Sequence, residues 1–212
     1  IQSASDKAIL RDSSSLDLEQ THQLIRDTLL NAGSVARVHT GDPSLYGAIR
    51  EQIILLEKAG LDYEVVPGVT AGFAAAAKAG VSFTIPEKTQ SLIFTRMSGR
   101  TSVPEKESLF HLAKHNCSLV LYLSASLVEK AVSELKQGGY SPATPVVIAC
   151  RIGWPGEELI NTTLDRMAEV AKQREIGKQA VFLILPNQED EPTFSKLYDR
   201  DFSHGFRNAQ EE

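Results

Sequence analysis

Gly41, Asp42 and Pro43 form an abrupt corner in the stretch VHTGDPSLYGAI, between an apolar segment and a helical pattern. Aspartate is a preferred helix N-cap because its carboxylate accepts N–H groups that the first turn leaves unpaired, and proline suits the next position. Glycine lets the main chain approach a ligand more closely than a residue with a Cβ atom does. The corner is therefore interpreted either as a well-built turn or as one wall of a ligand site.

A second corner has the same chemistry. The stretch VVPGVTAGFAAAAKAG leaves an apolar segment through Pro67 and Gly68, Thr70 can cap the next turn, and alanines occupy residues 74–77. Small side chains let a helix pack close to a sheet, and beside a strand end they leave room for a flat ligand. Ligands of parallel sheets bind beyond the carboxyl ends of the strands, so both interpretations stay open here.

Alternating strand and helix patterns must position these corners. A helix capped by Ser14 or Ser15 is predicted to end at Gly33, and a second helix is predicted to run from Pro43 to Gly60. The predicted strands are KAIL, SVARVHT, DYEVVPG, QSLIFTR, CSLVLYLS, TPVVIACRI and QAVFLIL. This alternation predicts the α/β class with a parallel sheet.

The pattern stops and restarts around residues 86–90, which predicts two α/β domains. We assign residues 1–87 to an N-terminal domain, residues 88–187 to a C-terminal domain and residues 188–212 to a polar tail.

Composition narrows the function classes. The chain has 212 residues, 42% of them hydrophobic, and a net charge of -5, so nucleic acid and anionic membranes are not expected partners. Cys117 and Cys150 lie in apolar surroundings and are predicted to be unpaired thiols, which fits a reducing cytoplasm. The sequence shows no signal peptide, membrane-length apolar run, metal-ligand spacing, Walker motif or GxSxG motif.

Four stretches in this order resemble the tetrapyrrole methylases, a family of S-adenosylmethionine (SAM) enzymes that act on precorrins. They are HTGDPSLYGA, VVPGVTA, FTRMSGRTSVPE and TPVVIACRIGWPGEELINTTL. The resemblance covers roughly residues 10–186 and is closest to the methylases that act on C11 of precorrin-4 or cobalt-precorrin-4. It implies a SAM-dependent C-methyltransferase of cobalamin and porphyrin biosynthesis, with a cofactor cleft between two α/β domains. The alternatives are methylation of another precorrin or uroporphyrinogen position, and a SAM-binding α/β protein without catalysis.

The family opens with a strand and a glycine-rich loop of the form GxGPGDP, and the sequence matches neither. We therefore expect an N-terminal domain that lacks its first strand and this loop.

The resemblance implies that backbone groups at strand ends hold SAM, which leaves as S-adenosylhomocysteine. The cofactor-binding residues that it implies are Thr40, Gly41, Asp42, Leu45, Thr70, Ala71, Leu123, Ile152 and Ala180. The nucleophile would be an electron-rich ring carbon, so no strong general base is needed, and no catalytic residue and no metal are predicted. The cofactor brings the electrophile, and the protein contributes mainly placement.

The family's substrates are polycarboxylates, so an acidic chain needs local cations to bind one. The fork of an arginine guanidinium suits a carboxylate. The substrate-binding candidates are His39, Tyr46, Arg96, Arg100 and Arg151. The resemblance further implies a cytoplasmic homodimer whose partner is a small tetrapyrrole.

Overall fold

The computed structural model describes residues 4–188 and 191–208, and the chain divides into two compact units, Ile1–Thr70 and Ala71–Glu212. The predicted domain boundary at residues 87 and 88 stays a prediction.

The first helix of the first unit is α1, Leu18–Ala32. Asp17 caps it by a reciprocal pair of bonds: the Gln20 N–H donates to Asp17 Oδ1 at 2.7 Å, and the Asp17 N–H donates to Gln20 Oε1 at 3.1 Å. Gly33 ends the helix with a left-handed φ of 77°. The predicted end is confirmed, but the cap is this aspartate rather than one of the serines before it.

The second helix, α2, is Ile49–Lys58 and begins later than predicted. Tyr46 and Ala48 have φ values of 58° and 49°, and a right-handed helix cannot pass through left-handed residues. The prediction that Asp42 caps this helix and that Pro43 opens it is therefore wrong.

No strand forms in the described residues of the first unit, 4–70, so the strands predicted at residues 7–10, 34–40 and 62–68 are wrong as well. Valines favour strands only where a neighbouring backbone pairs with them and a surface covers them. Val38 and Val66 are instead 60% and 70% exposed.

The second unit contains a five-stranded sheet of order β1-β2-β5-β3-β4. The strands are β1 Leu92–Arg96, β2 Ser118–Tyr122, β3 Pro145–Cys150, β4 Glu158–Thr163 and β5 Ala180–Ile184. This confirms the α/β class, but only β1 and β2 are parallel, and the other neighbouring pairs are antiparallel. A short turn joins β3 to β4, and so short a connection can only produce an antiparallel pair.

Helices cover both faces of this sheet. They are α3 Ala71–Ala79, α4 Leu109–Ala113, α5 Val128–Gly138 and α6 Met167–Gln173, with 3₁₀ turns at Glu105–Glu107, Ala125–Leu127 and Lys196–Tyr198. Helices α4, α5 and α6 share one core cluster with alternate strand residues such as Leu119, Leu121 and Phe182, all of them fully buried.

Helix α3 packs against the other face through its small residues. The Gly72 N–H donates to the Tyr122 hydroxyl at 2.8 Å, and a Cβ atom at Gly72 would lie 2.6 Å from that oxygen. Ala75 and Ala76 are buried in the same helix. The small residues therefore allow the close helix–sheet packing that the sequence predicted.

The described part of the predicted tail is residues 188 and 191–208; residues 189–190 and 209–212 lie outside the described residues. The Thr193 hydroxyl donates to the Pro86 carbonyl at 2.6 Å, and Lys88 Nζ donates to the Glu191 carbonyl at 2.7 Å. Arg207 donates to the Leu197 carbonyl at 2.9 Å. The described tail is thus bonded both to itself and to the segment before β1.

Candidate cofactor site

The first predicted corner is a compact turn whose centre is the Asp42 side chain. Gly41 has a φ of 71°, a conformation that a residue with a Cβ atom rarely adopts. Asp42 Oδ1 accepts the Ser44 N–H at 2.9 Å and the Ser44 hydroxyl, and the Leu45 N–H donates to the Asp42 carbonyl at 3.2 Å. The carboxylate therefore stabilises the turn rather than a helix.

The second corner lies directly against the first. The Gly68 N–H donates to Asp42 Oδ2 at 2.9 Å, across 26 residues of sequence. A Cβ atom on Gly68 would lie 2.1 Å from the Gly41 carbonyl oxygen, closer than any real contact. We call residues 40–45 and 67–68 the paired corners. Their main chains touch, so they form a single backbone surface within the first unit.

Three further predicted residues adjoin the paired corners in sequence. His39 is half-buried, and burial, assisted by the charge of Arg37, lowers the pKa of its imidazole. Tyr46 is 44% exposed and left-handed. Thr70 is buried and immediately precedes Ala71, the first residue of α3.

The predicted residues of the second unit gather at one end of the sheet. Arg96 at the end of β1 is in register with Tyr122 at the end of β2, and Leu123 follows Tyr122. Ala180, which begins β5, pairs with Cys150 at the end of β3, so Arg151 and Ile152 follow at the same end. We call this the carboxyl end of the sheet. It brings together Arg96, Leu123, Arg151, Ile152 and Ala180.

Three residues with side chains hold left-handed backbone at this end: Leu123, Arg151 and Gln179, with φ values of 51°, 50° and 54°. Each such residue costs about 1–3 kcal/mol and persists only where the surrounding structure enforces it. The Arg151 N–H donates to the Gln179 carbonyl at 2.9 Å, which joins two of the three. Strain of this kind concentrates at functional sites, so its clustering marks the carboxyl end as a candidate site.

The three predicted arginines differ in what they bind. The Arg96 guanidinium donates to the carbonyls of Met97, Thr101 and Ser102 at 3.2, 3.1 and 2.8 Å, and so it folds the loop that follows β1. Arg151 Nε lies 3.4 Å from Gln179 Oε1. Arg100 is exposed and makes no hydrogen bond or ion pair within the described residues. Their contact with a substrate stays a prediction.

Sequence reasoning missed two residues at this end, Gln179 and Ser124. The buried Ser124 hydroxyl donates to the Tyr122 carbonyl at 2.6 Å and accepts the Met97 N–H at 2.8 Å, tying together the segments that follow β1 and β2. A polar residue directly after an apolar strand, as in LYLSAS, was the available signal. The sequence carries no comparable signal for Gln179.

The second unit also has a groove of about 450 Å³ that the sequence did not predict. It lies between residues 125–130, which end a 3₁₀ turn and begin α5, and residues in and just after α6, from Ala168 to Gly177.

The arrangement suits a small organic cofactor held by backbone groups. At the paired corners, Thr40 and Gly41 are exposed, which fits close approach of a ligand to main chain, and the missing side chain of Gly68 lets the two corners touch. Within residues 4–188 and 191–208, no three His, Cys, Asp or Glu side chains cluster as metal ligands would. Within these residues, every helix is too short or too polar to span a lipid bilayer.

These features define an α/β protein with strand-end and glycine-corner surfaces of the kind that bind a small cofactor. A sequence model of the family described as Tetrapyrrole (Corrin/Porphyrin) Methylases matches residues 2–168. The chain belongs to this family, which confirms the resemblance.

Two relatives and one solved structure show which members of the family this chain is similar to. The chain is 45% identical to the cobalt-precorrin-4 C(11)-methyltransferase of Priestia megaterium, over 92% of this chain and 77% of that protein. It is 40% identical to the enzyme of the same name from Methanocaldococcus jannaschii, over 97% of this chain and 80% of that protein. The X-ray structure of a cobalt-precorrin-4 methyltransferase, a cobalamin biosynthetic enzyme, matches with a TM-score of 0.83 and 42% identity, over 86% of this chain and 76% of that one.

Proposed function

We propose that this chain transfers a methyl group from SAM to C11 of cobalt-precorrin-4 or precorrin-4 in cobalamin biosynthesis. The observation that carries the proposal is the identity of 45% and 40%, over more than nine-tenths of the chain, to two enzymes named cobalt-precorrin-4 C(11)-methyltransferase. An alignment over this much of the chain includes both predicted corners and every strand of the sheet.

SAM, when bound, supplies an electrophilic methyl group. The chain would hold it through the backbone at Thr40, Gly41 and Leu45 and through Thr70 and Ala71. Leu123, Ile152 and Ala180, at the carboxyl end of the sheet, would also hold it. Asp42 is the ninth residue that the resemblance implies. Apolar and backbone groups suit a sulfonium whose charge disperses during transfer. Placement of the ring carbon in line with the methyl group is then the main task of the protein.

Cations near the site would bind the substrate's carboxylates. Arg151 supports this role because it follows a strand end, is exposed and is held in left-handed backbone. Arg100 is exposed in the loop after β1. Arg96 donates to three backbone carbonyls of that loop, so we propose that it positions the loop as well as contacting the substrate. His39 and Tyr46 complete the proposed substrate set.

The test is methyl transfer by the purified protein from ¹³C-methyl SAM to cobalt-precorrin-4 and, separately, to precorrin-4. We expect one new methyl group, placed at C11 by NMR, and stoichiometric S-adenosylhomocysteine. Methylation of another ring position would contradict the C11 assignment. The absence of SAM binding by calorimetry would contradict the methyltransferase proposal as a whole.

A variant pair separates substrate binding from general charge effects. Arg151→Leu removes a cation at the carboxyl end of the sheet, whereas Arg166→Leu removes one after β4, whose last residue Thr163 pairs with the first residue of β3 at the opposite end. We expect Arg151→Leu to raise KM for the tetrapyrrole about tenfold, as loss of a charge-assisted bond implies, with SAM affinity unchanged. Arg166→Leu should match the wild type.

We also propose a cytoplasmic homodimer with a domain boundary near residue 87. The free thiols of Cys117 and Cys150 support a reducing compartment. A turn closed by the Ile85–Thr89 bridge, just before β1, supports the boundary. Light scattering over a hundredfold range of protein concentration tests the dimer: a constant mass of twice the chain is expected, and a constant single-chain mass would contradict it.

A further inference from the structure

The Asp42 carboxylate has a bonding pattern that a cofactor ligand does not need. Both of its oxygens accept bonds from the protein: Oδ1 from the Ser44 N–H and hydroxyl, and Oδ2 from the Gly68 N–H. An ionised carboxylate offers about four acceptor positions, so three are already occupied. These bonds also lower the pKa of the Asp42 carboxyl, with Ser44 the largest cause and Gly68 next. The side chain is therefore turned toward its own backbone.

The bond to Gly68 crosses between two loops that the sequence separates by 26 residues. The described residues 4–70 form no sheet that could hold these loops in register. The carboxylate and the contact between Gly68 and the Gly41 carbonyl are the observed links between the corners. A local turn alone would need only the bonds to Ser44.

We infer that Asp42 is a positioning residue: the bond that its carboxylate accepts from the Gly68 N–H holds the paired corners together, so that their backbone forms one binding surface for the cofactor. We call this bond the latch. Asp42 does not contact the cofactor itself. The inference rests on the proposed function for its cofactor, while the latch itself is a property of the protein alone. Gly68 is the matching half of the latch, because only a residue without a Cβ atom brings its N–H within reach of the carboxylate at this spacing. The backbone at Thr40 and Gly41 would then meet the cofactor in a fixed geometry.

The chain offers a matched control for Asp42. Asp12 accepts the Ser14 N–H at 2.9 Å in the same Asp-x-Ser arrangement, and Ser14 likewise lowers the pKa of its carboxyl. Within the described residues, Asp12 makes no bond to a second loop. Asp42→Asn replaces one of the two accepting oxygens by an N–H₂ group and removes the negative charge, so the bond to Gly68 is either lost or loses its charge assistance, with little change in shape. Asp12→Asn makes the same chemical change without a latch.

Hydrogen exchange of the Gly68 amide tests the latch without any cofactor. We expect Asp42→Asn to increase the exchange rate of this amide at least about tenfold, since a charge-assisted bond is lost, and Asp12→Asn to leave it unchanged. Unchanged Gly68 protection in Asp42→Asn would overturn the latch. This outcome is distinct from failure of the wild type to bind SAM, which would overturn the proposed function instead.

A double-mutant cycle tests positioning against direct contact. Gly68→Ala attacks the latch from the other loop, and Gly205→Ala, where a Cβ atom would meet nothing within 4 Å, is its control. We expect each of Asp42→Asn and Gly68→Ala to weaken SAM binding about 10–100-fold. The double variant should bind SAM as well as the single variant of lower affinity, because both substitutions disrupt the same bond. Additive losses would show that Asp42 acts independently of Gly68 and would overturn the inference. If Gly68→Ala does not fold, SAM binding by Asp42→Asn decides: unchanged affinity overturns it.

Discussion

The paired corners and the carboxyl end of the sheet are built in opposite ways. At the corners, glycines and the Asp42 carboxylate fix the main chain, and nearby apolar side chains such as Val66 and Val69 are 70% and 69% exposed. At the carboxyl end, strands with fully buried residues such as Leu121 and Phe182 fix it. One region depends on a few hydrogen bonds, and the other depends on burial.

The two regions also treat backbone strain differently. At the first corner, the left-handed position next to Asp42 is a glycine, Gly41, which adopts it without a steric penalty. At the carboxyl end, Leu123, Arg151 and Gln179 adopt it with side chains. A buried sheet can enforce costly conformations, whereas at the corner itself a glycine adopts the conformation freely. Just beyond the corner, Tyr46 and Ala48 again hold it with side chains. This difference explains why the glycine motif was visible in the sequence and the strained residues were not.

The largest effect on stability is expected from a cavity in the buried core of the second unit. Leu121→Ala removes a fully buried side chain from β2 and should lower the free energy of unfolding by about 2–5 kcal/mol. Urea titration followed by circular dichroism measures it. Leu30→Ala, on a side chain that is 85% exposed in α1, is the control and should change stability by less than about 0.5 kcal/mol. Equal losses in the two variants would show that burial does not distinguish the regions.

The fold of the second unit was largely predictable because its signals are local. Apolar runs predicted all of β1, β2, β3 and β5. The antiparallel position of β5 between β2 and β3 was not predictable, because strand pairing is a long-range choice that periodicity does not encode.

The first unit was harder to predict, and the reason lies in particular residues. Tyr46 and Ala48 delay α2, and nothing in their types favours left-handed backbone. The valines at residues 65–66 carry a strand preference that needs a pairing partner to be realised. The bond from Gly68 to Asp42 links distant residues, so local capping rules led to a helix cap instead of a latch.

The second-largest effect on stability tests whether hydrogen bonds stabilise the first unit. Asp17→Ala removes the capping box of α1 and should cost about 1 kcal/mol of stability, within a range of about 0.5–2 kcal/mol. Amide exchange at Gln20, whose N–H loses its acceptor, reports the same loss locally. Asp62→Ala, on an exposed loop residue, is the control and should leave both unchanged. A cap variant as stable as the wild type would contradict the role given to these bonds.

A smaller effect, of opposite sign, is expected from relieving strain at the carboxyl end. Leu123→Gly removes the penalty of a left-handed side-chain residue that is 69% exposed, so stability should stay constant or rise by up to about 1 kcal/mol. Val69→Gly, equally exposed but without positive φ, should instead lose about 0.4–1 kcal/mol through unfolded-chain entropy. Thermal denaturation compares them. A loss in Leu123→Gly as large as that in Val69→Gly would show that no strain is stored there.

The smallest effect concerns an exposed ion pair in the second unit. Lys78 Nζ donates to Glu157 Oε2 at 2.6 Å, and the Gly153 N–H donates to the same carboxylate at 2.9 Å. These bonds, Lys78 first, lower the pKa of Glu157 below its ordinary 4.5. The lowered folded value means that the stabilisation is fully present above pH 4.5 and is lost as the pH falls through that lower value.

Lys78→Met should therefore lower Tm slightly at neutral pH and low salt, and the difference from wild type should disappear both in acid and in about 1 M salt, where the screening length falls to about 3 Å. Lys106→Met, on an exposed lysine of the 3₁₀ turn before α4, is the control and should show neither dependence. A Tm difference for Lys78→Met that persists in acid and in high salt would mean that packing of the lysine stem, rather than charge, joins α3 to the β3–β4 turn. Burial would then contribute even at the exposed surface of the second unit, which would sharpen its contrast with the hydrogen-bonded corners of the first.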